Sequence, residues 1–410
     1  MRVLIFQTGE PLRIDGSGLR VMRAENLATK LKEAGHTVVI VSARFYHQKK
    51  AHRKIDSVES FDIDYHLIDS PGYVANIGFA RFYDHFHLAN NLGKFLTQYE
   101  QKPDVVFIGF PPIEAAFVMA RWCVKNAIPY VVDVKDLWPQ IFIDVLPKRL
   151  RPIGKVIFSL HFFMTKWALK NSNAITSISQ PFLDRVLLDY NLSGRATDFV
   201  SYLTAPISRK VPIHEPLGLP RINEEHAKMF FAGSLSRVFD FSPLLQAIEY
   251  LDSRGINILF YICGDGPFLE ETQEAFGGHT NVIFTGWIDN SSLEYLATKS
   301  VATLAPYRQS QDFEISIPNK VIESLSYGLP VLHSLKGEVD RLLSVANAGI
   351  YFQAESLGVL IEHNYADLTE SDQLRRNAKK LYDELFDYDL VYNQIESKLA
   401  SLVEEQNDGE

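Results

Sequence analysis

The sequence predicts an α/β protein built from two Rossmann-like domains. Short apolar runs alternate with segments of helical period along most of the chain, which is typical of parallel sheets covered by helices on both faces. A polar stretch with four prolines between residues 203 and 228 interrupts the pattern, and a second series of strands and helices follows it. A chain of 410 residues is also too long for one ordinary core. We therefore predict domains at 1–205 and 206–385, followed by a C-terminal helix and tail at 386–410.

The predicted strands are short apolar runs bounded by turn-forming or polar residues. In the first half they are Val3–Phe6, Thr37–Val41, Asp104–Ile108, Tyr130–Asp133 and Ala174–Ile178. In the second half they are Met229–Ala232, Ile258–Cys263, Val282–Phe284, Val301–Leu304, Pro330–Leu332 and Ile350–Phe352. The charged segment from about Leu374 to Glu404 is expected to be helical, and the last five residues are expected to be a frayed tail.

Composition indicates a globular protein of the cytoplasm that does not bind nucleic acid. With 46% hydrophobic and 22% charged residues the chain has ample core material, and its net charge of -9 argues against a general nucleic-acid binder. Cys123 and Cys263 lie in apolar surroundings without metal-ligand spacing, so we expect two buried thiols. The N-terminus is expected to be a first strand rather than a signal peptide. No segment approaches the roughly 20 apolar residues of a membrane span.

The stretch from Ile315 to Leu332 predicts a loop, a helix and a buried strand around Glu323. Pro318 suits the first turn of a helix, and Gly328 with Pro330 ends the helix before the apolar strand. A helix N-terminus attracts phosphate, and Lys320 adds a cation there. Glu323 is placed to accept hydrogen bonds from ribose hydroxyls. Residue types alone leave an ordinary surface helix equally open.

This segment resembles the donor-binding segment of retaining GT-B glycosyltransferases of the family-four type, in particular the bacterial polysaccharide branch. The resemblance implies two Rossmann-like domains facing each other across a cleft, with C-terminal helices that return to the first domain. It also implies a nucleoside diphosphate sugar as donor and no cofactor. The second family glutamate matches Glu323, whereas the first falls on Ile315, with Glu314 and Asp312 nearby. The donor contacts implied in this segment are Glu314, Ile315, Ser316, Ile317, Pro318, Asn319 and Glu323.

Glycines follow the first predicted strand, where the strand leads into a long helix that is expected to have Gly35 as its C-cap. Gly16, Ser17 and Gly18 stand where the loop opens beyond the strand ends, so that the backbone can approach a ligand. In the resembled family this loop faces the phosphates and the transferred sugar of the donor. A turn that needs positive φ is the alternative, and the spacing completes no dinucleotide fingerprint.

A second motif, Asp136-Leu-Trp-Pro139, resembles the signature of the same branch. Lys135 and Asp136 follow a predicted strand and are expected to project beyond its carboxyl end. Many relatives carry histidine at the position of Lys135, so Lys135 is a candidate phosphate or sugar contact. Trp138 is expected either to pack in the core or to stack on a sugar.

The second half carries the remaining donor-side candidates. Gly233 and Ser234 lie in a loop resembling the phosphate-side loop of the family, in which Arg237 is expected to grip the diphosphate. A solvated surface arginine is the alternative. Trp287 and Ile288 stand where relatives hold the nucleotide base, and Trp287 is equally compatible with a core position.

Residues 148–170 combine six basic side chains with apolar and aromatic ones, in an otherwise acidic protein. A helix of this kind can lie on anionic lipid, which would fit a lipid-linked or membrane-proximal glycan acceptor and a place on the inner face of the membrane. A core helix with a solvated basic edge is the alternative, and the sequence slightly favours it.

These observations predict an enzyme that moves a sugar to an acceptor hydroxyl, with retention as the resemblance implies. We expect Arg237, Lys320 and Asp136 to be the catalytic residues, with the two cations stabilising the departing diphosphate in place of a metal. The leaving phosphate is expected to help deprotonate the acceptor. A nucleotide-sugar epimerase and a non-catalytic partner subunit remain alternatives.

Overall fold

In the computed structural model the described residues, 1–16, 21–54, 63–75, 78–205 and 226–409, form two compact units. Unit 1 comprises Met1–Tyr202 with Val391–Glu410, and unit 2 comprises Leu203–Leu390. Most of the predicted linker, residues 206–225, lies outside the described residues. Both units are α/β, with parallel sheets of the Rossmann-like kind, so the predicted fold class is confirmed.

Unit 1 is built on a seven-stranded parallel sheet of order β5-β2-β1-β6-β7-β8-β9. Its central strands, at residues 105–110 and 130–134, are buried along their whole length because helices cover both faces of such a sheet, and all their residues except Asp133 and Gly109 are apolar or aromatic. In register, Val3 pairs with Val38 on one side and Val105 on the other. A two-stranded antiparallel hairpin, β3 and β4, accompanies the sheet. The strands are β1 Arg2–Phe6, β2 Thr37–Ala43, β3 Phe45–Tyr46, β4 Ala51–His52, β5 Asp64–Ile68, β6 Val105–Phe110, β7 Tyr130–Val134, β8 Ala174–Ser177 and β9 Phe199–Val200.

Unit 2 is built on a six-stranded parallel sheet of order β12-β11-β10-β13-β14-β15. Phe230 in the central strand pairs with Tyr261 on one side and Thr303 on the other. Leu296 and Leu329 pack with Phe230 and Tyr261 in the core. The strands are β10 Ala227–Ala232, β11 Ile258–Cys263, β12 Val282–Gly286, β13 Ala302–Ala305, β14 Val331–His333 and β15 Gly349–Tyr351.

Helices connect the strands of both sheets. Up to residue 202 they are α1 Arg23–Glu33, α2 Phe79–Gln98, α3 Ile113–Lys125, α4 Gln140–Asp144, α5 Arg151–Ile157, α6 Ser159–Lys170 and α7 Gln180–Tyr190. In unit 2 they are α8 Ser242–Ser253, α9 Leu269–Ala275, α10 Asn290–Lys299, α11 Gln311–Ile315, α12 Asn319–Ser326, α13 Glu338–Ala346, α14 Leu357–His363, α15 Tyr365–Thr369 and α16 Gln373–Leu385. The last helix is α17 Tyr388–Gly409.

All eleven predicted strands are present, with ends within two residues of those predicted. The sequence patterns did not predict β3, β4, β5 and β9. Strands β3, β4 and β9 have only two residues each, and β5 alternates polar and apolar residues. Both cysteines are buried and free, as predicted. Among the described residues, no helix has the length and apolar character needed to span a membrane.

Three local expectations were wrong. The predicted frayed tail is helical through Gly409, and Gln406 anchors it by donating a hydrogen bond to the Ala127 carbonyl at 2.6 Å. The first long helix ends at Glu33, with Ala34 rather than Gly35 as its C-cap. The basic segment 148–170 is two helices, α5 and α6, separated at Phe158.

Candidate active site

Each sheet reverses its strand order beside its first strand, between β1 and β6 in unit 1 and between β10 and β13 in unit 2. Ligands of doubly wound sheets bind beyond the carboxyl ends of the strands at such switch points. The loops after β1, β6 and β7, and those after β10, β11 and β13, are therefore where function is expected in the two units.

In unit 2, the loop after β10 is in close contact with Lys320. The Gly233 N–H donates to the Cys263 carbonyl at 2.8 Å. A β-carbon at Gly233 would stand 1.8 Å from Lys320 Nζ, and one at Gly264 would stand 1.9 Å from the Gly233 carbonyl oxygen. Gly264 therefore requires glycine, because a side chain there would meet backbone, whereas a side chain at Gly233 would displace the Lys320 amino group. The structure brings together Gly233 and Lys320, two residues that the sequence analysis placed at the diphosphate.

The cations of this region lie over aromatic rings. Lys320 Nζ is 5.5 Å from the ring centroid of Phe231 and 5.9 Å from that of Phe239. The Arg237 guanidinium is exposed and lies 5.4 Å from the Phe268 ring centroid. Arg237 also lines a pocket of about 560 Å³ beside α8 and α9. Ser234, between Gly233 and Arg237 in the chain, is exposed.

Helix α12 places Glu323 one turn beyond Lys320. Pro318 is the N-cap of this helix, with φ of -63° and ψ of 144°, and so lies just before the first turn rather than in it. Gly328, with φ of +66°, follows the helix end, and the buried strand β14 begins at Val331, as expected. Glu323 is half-buried. Burial, with a smaller contribution from the nearby Glu323 charge, raises the pKa of Tyr307, which follows β13.

The residues before α12 differ in their exposure to solvent. Glu314 is exposed, Ile315 and Ser316 are half-buried, and the Ser316 hydroxyl donates to the Asp312 carbonyl at 2.6 Å. Ile317 is only 3% exposed, so its side chain belongs to the core. Asn319 begins α12 and is half-buried.

The predicted base-binding position after β12 carries a solvent-exposed aromatic side chain. Trp287 is 78% exposed, which excludes the core alternative for this residue. Ile288 is partly buried against the core cluster that contains Tyr261 and Leu296. Trp287 is therefore available to a ligand, whereas Ile288 anchors the loop.

In unit 1, the residues after β1 and β7 are linked by an ion pair. Lys135 Nζ donates to Glu10 Oε1 at 2.5 Å and to Gln7 Oε1 at 2.9 Å. A phosphate at Lys135 must therefore compete with Glu10. Asp136 is exposed and lines the same pocket of about 240 Å³. Trp138 is buried beneath Arg81 and against Phe142, so its role is packing.

The glycine loop after β1 is described only in part. Gly16 follows a short 3₁₀ turn at Arg13–Asp15 and has φ of +123°. Ser17 and Gly18 lie outside the described residues.

Helix α2 contributes side chains to the unit 1 pocket that no sequence pattern predicted. Arg81 and His85 line this pocket together with Gln7, Glu10 and Lys135. No local motif marks these residues, because α2 reaches the pocket only through the fold. Within the described ranges, no cluster of three or more His, Cys, Asp or Glu residues has the geometry of a metal site.

Two family models match the chain, one in each half. Residues 21–197 match the model described as Glycosyltransferase Family 4, and residues 226–363 match the one described as Glycosyl transferases group 1. The comparison with curated proteins found no match.

Solved structures share the fold over almost the whole chain. A sucrose-phosphate synthase from Thermosynechococcus elongatus has a TM-score of 0.69 at 14% identity, covering 98% of each chain. Anabaena HepE in complex with UDP has a TM-score of 0.63 at 14% identity, covering 98% of this chain and 99% of that one. WaaG, a glycosyltransferase involved in lipopolysaccharide biosynthesis, has a TM-score of 0.63 at 13% identity, covering 96% of this chain and 98% of that one.

The fold alone does not separate transferases from epimerases. A putative UDP-N-acetylglucosamine 2-epimerase from Listeria monocytogenes has a TM-score of 0.57 at 13% identity, covering 98% of this chain and 97% of that one. The two family models provide the distinction, because both describe glycosyltransferases. With both domain models matched on a pair of Rossmann-like units, the chain is a glycosyltransferase of the GT-B type.

Proposed function

We propose that this glycosyltransferase moves a sugar from a UDP-sugar to a hydroxyl of a glycan or lipid-linked acceptor, with retention of anomeric configuration and without a metal. The observation that carries the proposal is the Lys320 amino group packed against Gly233 at the end of β10, with Glu323 one turn further along α12. A cation at a helix N-terminus and a close backbone suit a diphosphate, and the carboxylate suits ribose hydroxyls. The complex of HepE with UDP supports uridine as the base.

In this proposal Lys320 and Arg237 stabilise the negative charge that grows on the diphosphate as its bond to the sugar breaks. Such cations bind the transition state more strongly than the ground state, so they raise turnover. Trp287 and Ile288 lie on the base side, and Glu314 to Asn319 border the transferred sugar. Lys135, Asp136 and the glycine loop at Gly16 to Gly18 are the contacts that unit 1 contributes in this proposal.

The test is a donor screen followed by transfer. Thermal shifts with UDP, GDP, dTDP, ADP and CMP identify the base, and the corresponding radiolabelled sugars are then offered with bacterial glycan and lipid extracts. We expect stabilisation by UDP, label in an extract, and an anomeric proton coupling in the product that matches the donor. Conversion of the donor without acceptor would indicate the epimerase. Nucleotide binding without transfer to any extract would indicate a partner subunit.

We further propose that unit 1 rests on an anionic membrane surface. Helices α5 and α6 carry apolar side chains that are 57% to 74% exposed, namely Ile153, Val156, Ile157, Leu160 and Phe163. This exposure argues against the core alternative for these residues. The same segment carries five exposed basic side chains, Lys148, Arg149, Lys155, Lys166 and Lys170. Apolar side chains with a basic border are the composition of helices that lie in a lipid interface.

The start of α2 extends this surface with residues that the sequence analysis did not identify. Phe79 is 96% exposed, and Tyr83 and Phe86 lie further along the same helix with more than half of their surface exposed. Phe82 of α2 packs against Phe158, which joins α5 to α6, so the two parts of the surface are adjacent. We call this set of residues on α2, α5 and α6 the apolar face. In this proposal the acceptor of the transferred sugar is presented to the enzyme at the membrane.

A further inference from the structure

Unit 2 contains two pockets of about 560 Å³ each, and the proposed function assigns a ligand to neither. The first, which we call the α9 pocket, is lined by residues between 236 and 245 and between 268 and 276. The second, the β15 pocket, is lined mainly by residues between 307 and 309, between 334 and 336 and between 351 and 354. Each has the volume of a typical small-molecule site.

The two pockets meet at a fixed border. Asp240 and Arg308 line both of them. The border is a short antiparallel bridge in which Phe239 pairs with Tyr307. The Asp240 N–H donates to the Pro306 carbonyl at 2.7 Å, and Arg308 Nε donates to the Phe239 carbonyl at 3.1 Å. Because these bonds hold both chain segments together, a ligand that crosses the border meets a preorganised surface.

This border presents a charged pair to solvent. Arg308 Nη1 is 3.7 Å from Asp240 Oδ2, and the two side chains are 61% and 36% exposed. An ion pair this open contributes little to stability. The Ser242 hydroxyl donates to the other oxygen, Asp240 Oδ1, at 2.7 Å and so orients the carboxylate. Guanidinium donors beside a carboxylate acceptor match neighbouring sugar hydroxyls, each of which both donates and accepts.

Aromatic rings line both pockets. Phe241 and Phe268 in the α9 pocket and Tyr351 in the β15 pocket are half-buried, so part of each ring remains accessible. The apolar C–H face of a pyranose packs on such a ring, while its hydroxyls bind polar groups nearby. Rings on both sides of a polar border are therefore suited to consecutive sugars of one chain.

The charges of the lining favour a neutral ligand. The two pockets together have three cations and two carboxylates, namely Arg237, Arg308, Lys336, Asp240 and Glu271. Such a near balance attracts neither a strongly anionic nor a strongly cationic ligand.

Both pockets are also distinct from the proposed donor site. Among the described residues expected to bind the donor, Arg237 lines the α9 pocket, whereas Lys320, Glu323 and Trp287 line neither pocket.

We propose that the two pockets form one groove that binds a neutral oligosaccharide long enough to cross the Asp240–Arg308 pair. Sugar rings pack on Phe268 on one side of the border and on Tyr351 on the other, and hydroxyls between them bind the charged pair. The groove holds the glycan and does no chemistry on it. A second point of attachment raises the local concentration of a long chain at the enzyme. The inference rests on the proposed function only in that the acceptor there is a glycan.

The test measures binding of oligosaccharides to the whole chain in the absence of donor. Calorimetry is carried out with maltohexaose, cellohexaose and chitohexaose, with the disaccharide of each sugar and with a hexamer of galacturonic acid. We expect one or more of the neutral hexaoses to bind about tenfold more tightly than its disaccharide, because only the longer chain reaches both pockets. The acidic hexamer should bind less tightly than that hexaose.

Two substitutions fill the pockets without removing a side-chain contact. Ala275→Trp places a ring in the α9 pocket and Ala354→Trp places one in the β15 pocket, and both alanines are exposed. The matched control is Ala366→Trp, at an exposed alanine of α15 that lines neither pocket. Each filling variant should weaken hexaose binding about tenfold, since one of the two attachments is lost. Tyr351→Ala should weaken it about fivefold by removing a ring, and the control should bind as wild type does.

Three results would overturn the proposal: no binding of any neutral hexaose to wild type, hexaose affinity unchanged in both filling variants, or tighter binding of the acidic hexamer. UDP and the hexaose should bind at the same time, so displacement of the hexaose by UDP would place the sugar in the donor site and also overturn it. If the filling variants do not unfold cooperatively in urea, unchanged affinity in Tyr351→Ala overturns it instead. A protein that binds the hexaose in this groove but transfers no sugar refutes the proposed function alone.

Discussion

The same position in the two sheets, beyond the first strand at the switch point, is stabilised in different ways in the two units. In unit 1 cations face carboxylates: Lys135 is paired with Glu10, and Arg53 with Asp15 at 2.6 Å. In unit 2 Lys320 and Arg237 lie over aromatic rings. A carboxylate neutralises a cation, whereas a ring attracts it and leaves its net charge unchanged. In unit 1, Lys135 and Arg53 are thus held by carboxylates, Lys135 within a polar pocket, while the exposed Arg237 of unit 2 keeps its charge available to an anionic ligand.

The largest expected effect concerns the buried ion pair of unit 1. Arg23 Nε lies 2.8 Å from Asp133 Oδ2, and the two side chains are 3% and 0% exposed. Asp133→Ala leaves the guanidinium buried without its partner, and we expect a loss of about 3 to 5 kcal/mol in the free energy of unfolding. Urea unfolding measures it.

The matched control for that prediction is the double variant Arg23→Met with Asp133→Leu. It removes both charges at similar volume, so it should recover most of the loss. A single variant as stable as wild type would contradict the view that unit 1 depends on paired charges.

The next effect is catalytic and belongs to unit 2. Arg237→Ala and Lys320→Ala should each lower turnover about a hundredfold, or about 2.7 kcal/mol in the barrier, with a smaller change in the Michaelis constant for donor. Steady-state kinetics with the true donor measures both constants. Wild-type activity should be the same with and without EDTA. If donor affinity falls while turnover is kept, these residues only hold the substrate.

A comparable effect on binding is expected at α12. Glu323→Ala should weaken UDP binding by about 1.5 to 3 kcal/mol, the contribution of hydrogen bonds to a charged group. Calorimetry provides the measurement, with the exposed Glu314→Ala as the matched comparison. Unchanged affinity in folded Glu323→Ala would make this residue structural, and a loss confined to Glu314→Ala would assign the ribose contact there.

The sequence predicted the unit 2 region better than the unit 1 pocket, for a physical reason. A buried parallel strand is a continuous apolar run, and the helix after it carries its own capping signals, so Lys320 and Glu323 could be placed from neighbouring residues. The unit 1 pocket depends on distant contacts: Lys135 and Glu10 are 125 positions apart, and His85 and Glu114 lie on different helices. The exposure of Trp287 and of the apolar face likewise depends on the packing of whole helices, which local patterns do not specify.

The apolar face sets unit 1 apart from unit 2 in a further way. Lys155→Gln and Lys166→Gln should each weaken binding to vesicles of phosphatidylcholine with phosphatidylserine by about 1 kcal/mol, because each removes one basic residue near the anionic surface. Phe79→Ser should weaken it as well, by removing an exposed aromatic ring. Co-sedimentation at low and high salt measures it. Lys336→Gln, an exposed lysine of unit 2, should change nothing.

Binding that is the same with and without phosphatidylserine would refute the anionic surface as the partner. If vesicle binding is unchanged in Phe79→Ser but decreases with salt, the basic residues alone account for the binding.

The smallest effect is expected where a unit 2 ion pair lies in water. Lys380 Nζ and Glu384 Oε1 are 3.6 Å apart on α16, and the two side chains are 72% and 60% exposed. Solvent screens such a pair, and alanine is also a good helix former, so Lys380→Ala should change the free energy of unfolding by no more than about 0.5 kcal/mol. Urea unfolding of Lys380→Ala and Asp133→Ala under the same conditions compares the two losses in free energy of unfolding directly. A loss at Lys380 as large as that at Asp133 would show that exposed pairs stabilise this protein as much as buried ones do, and the difference drawn between the two units would then fail.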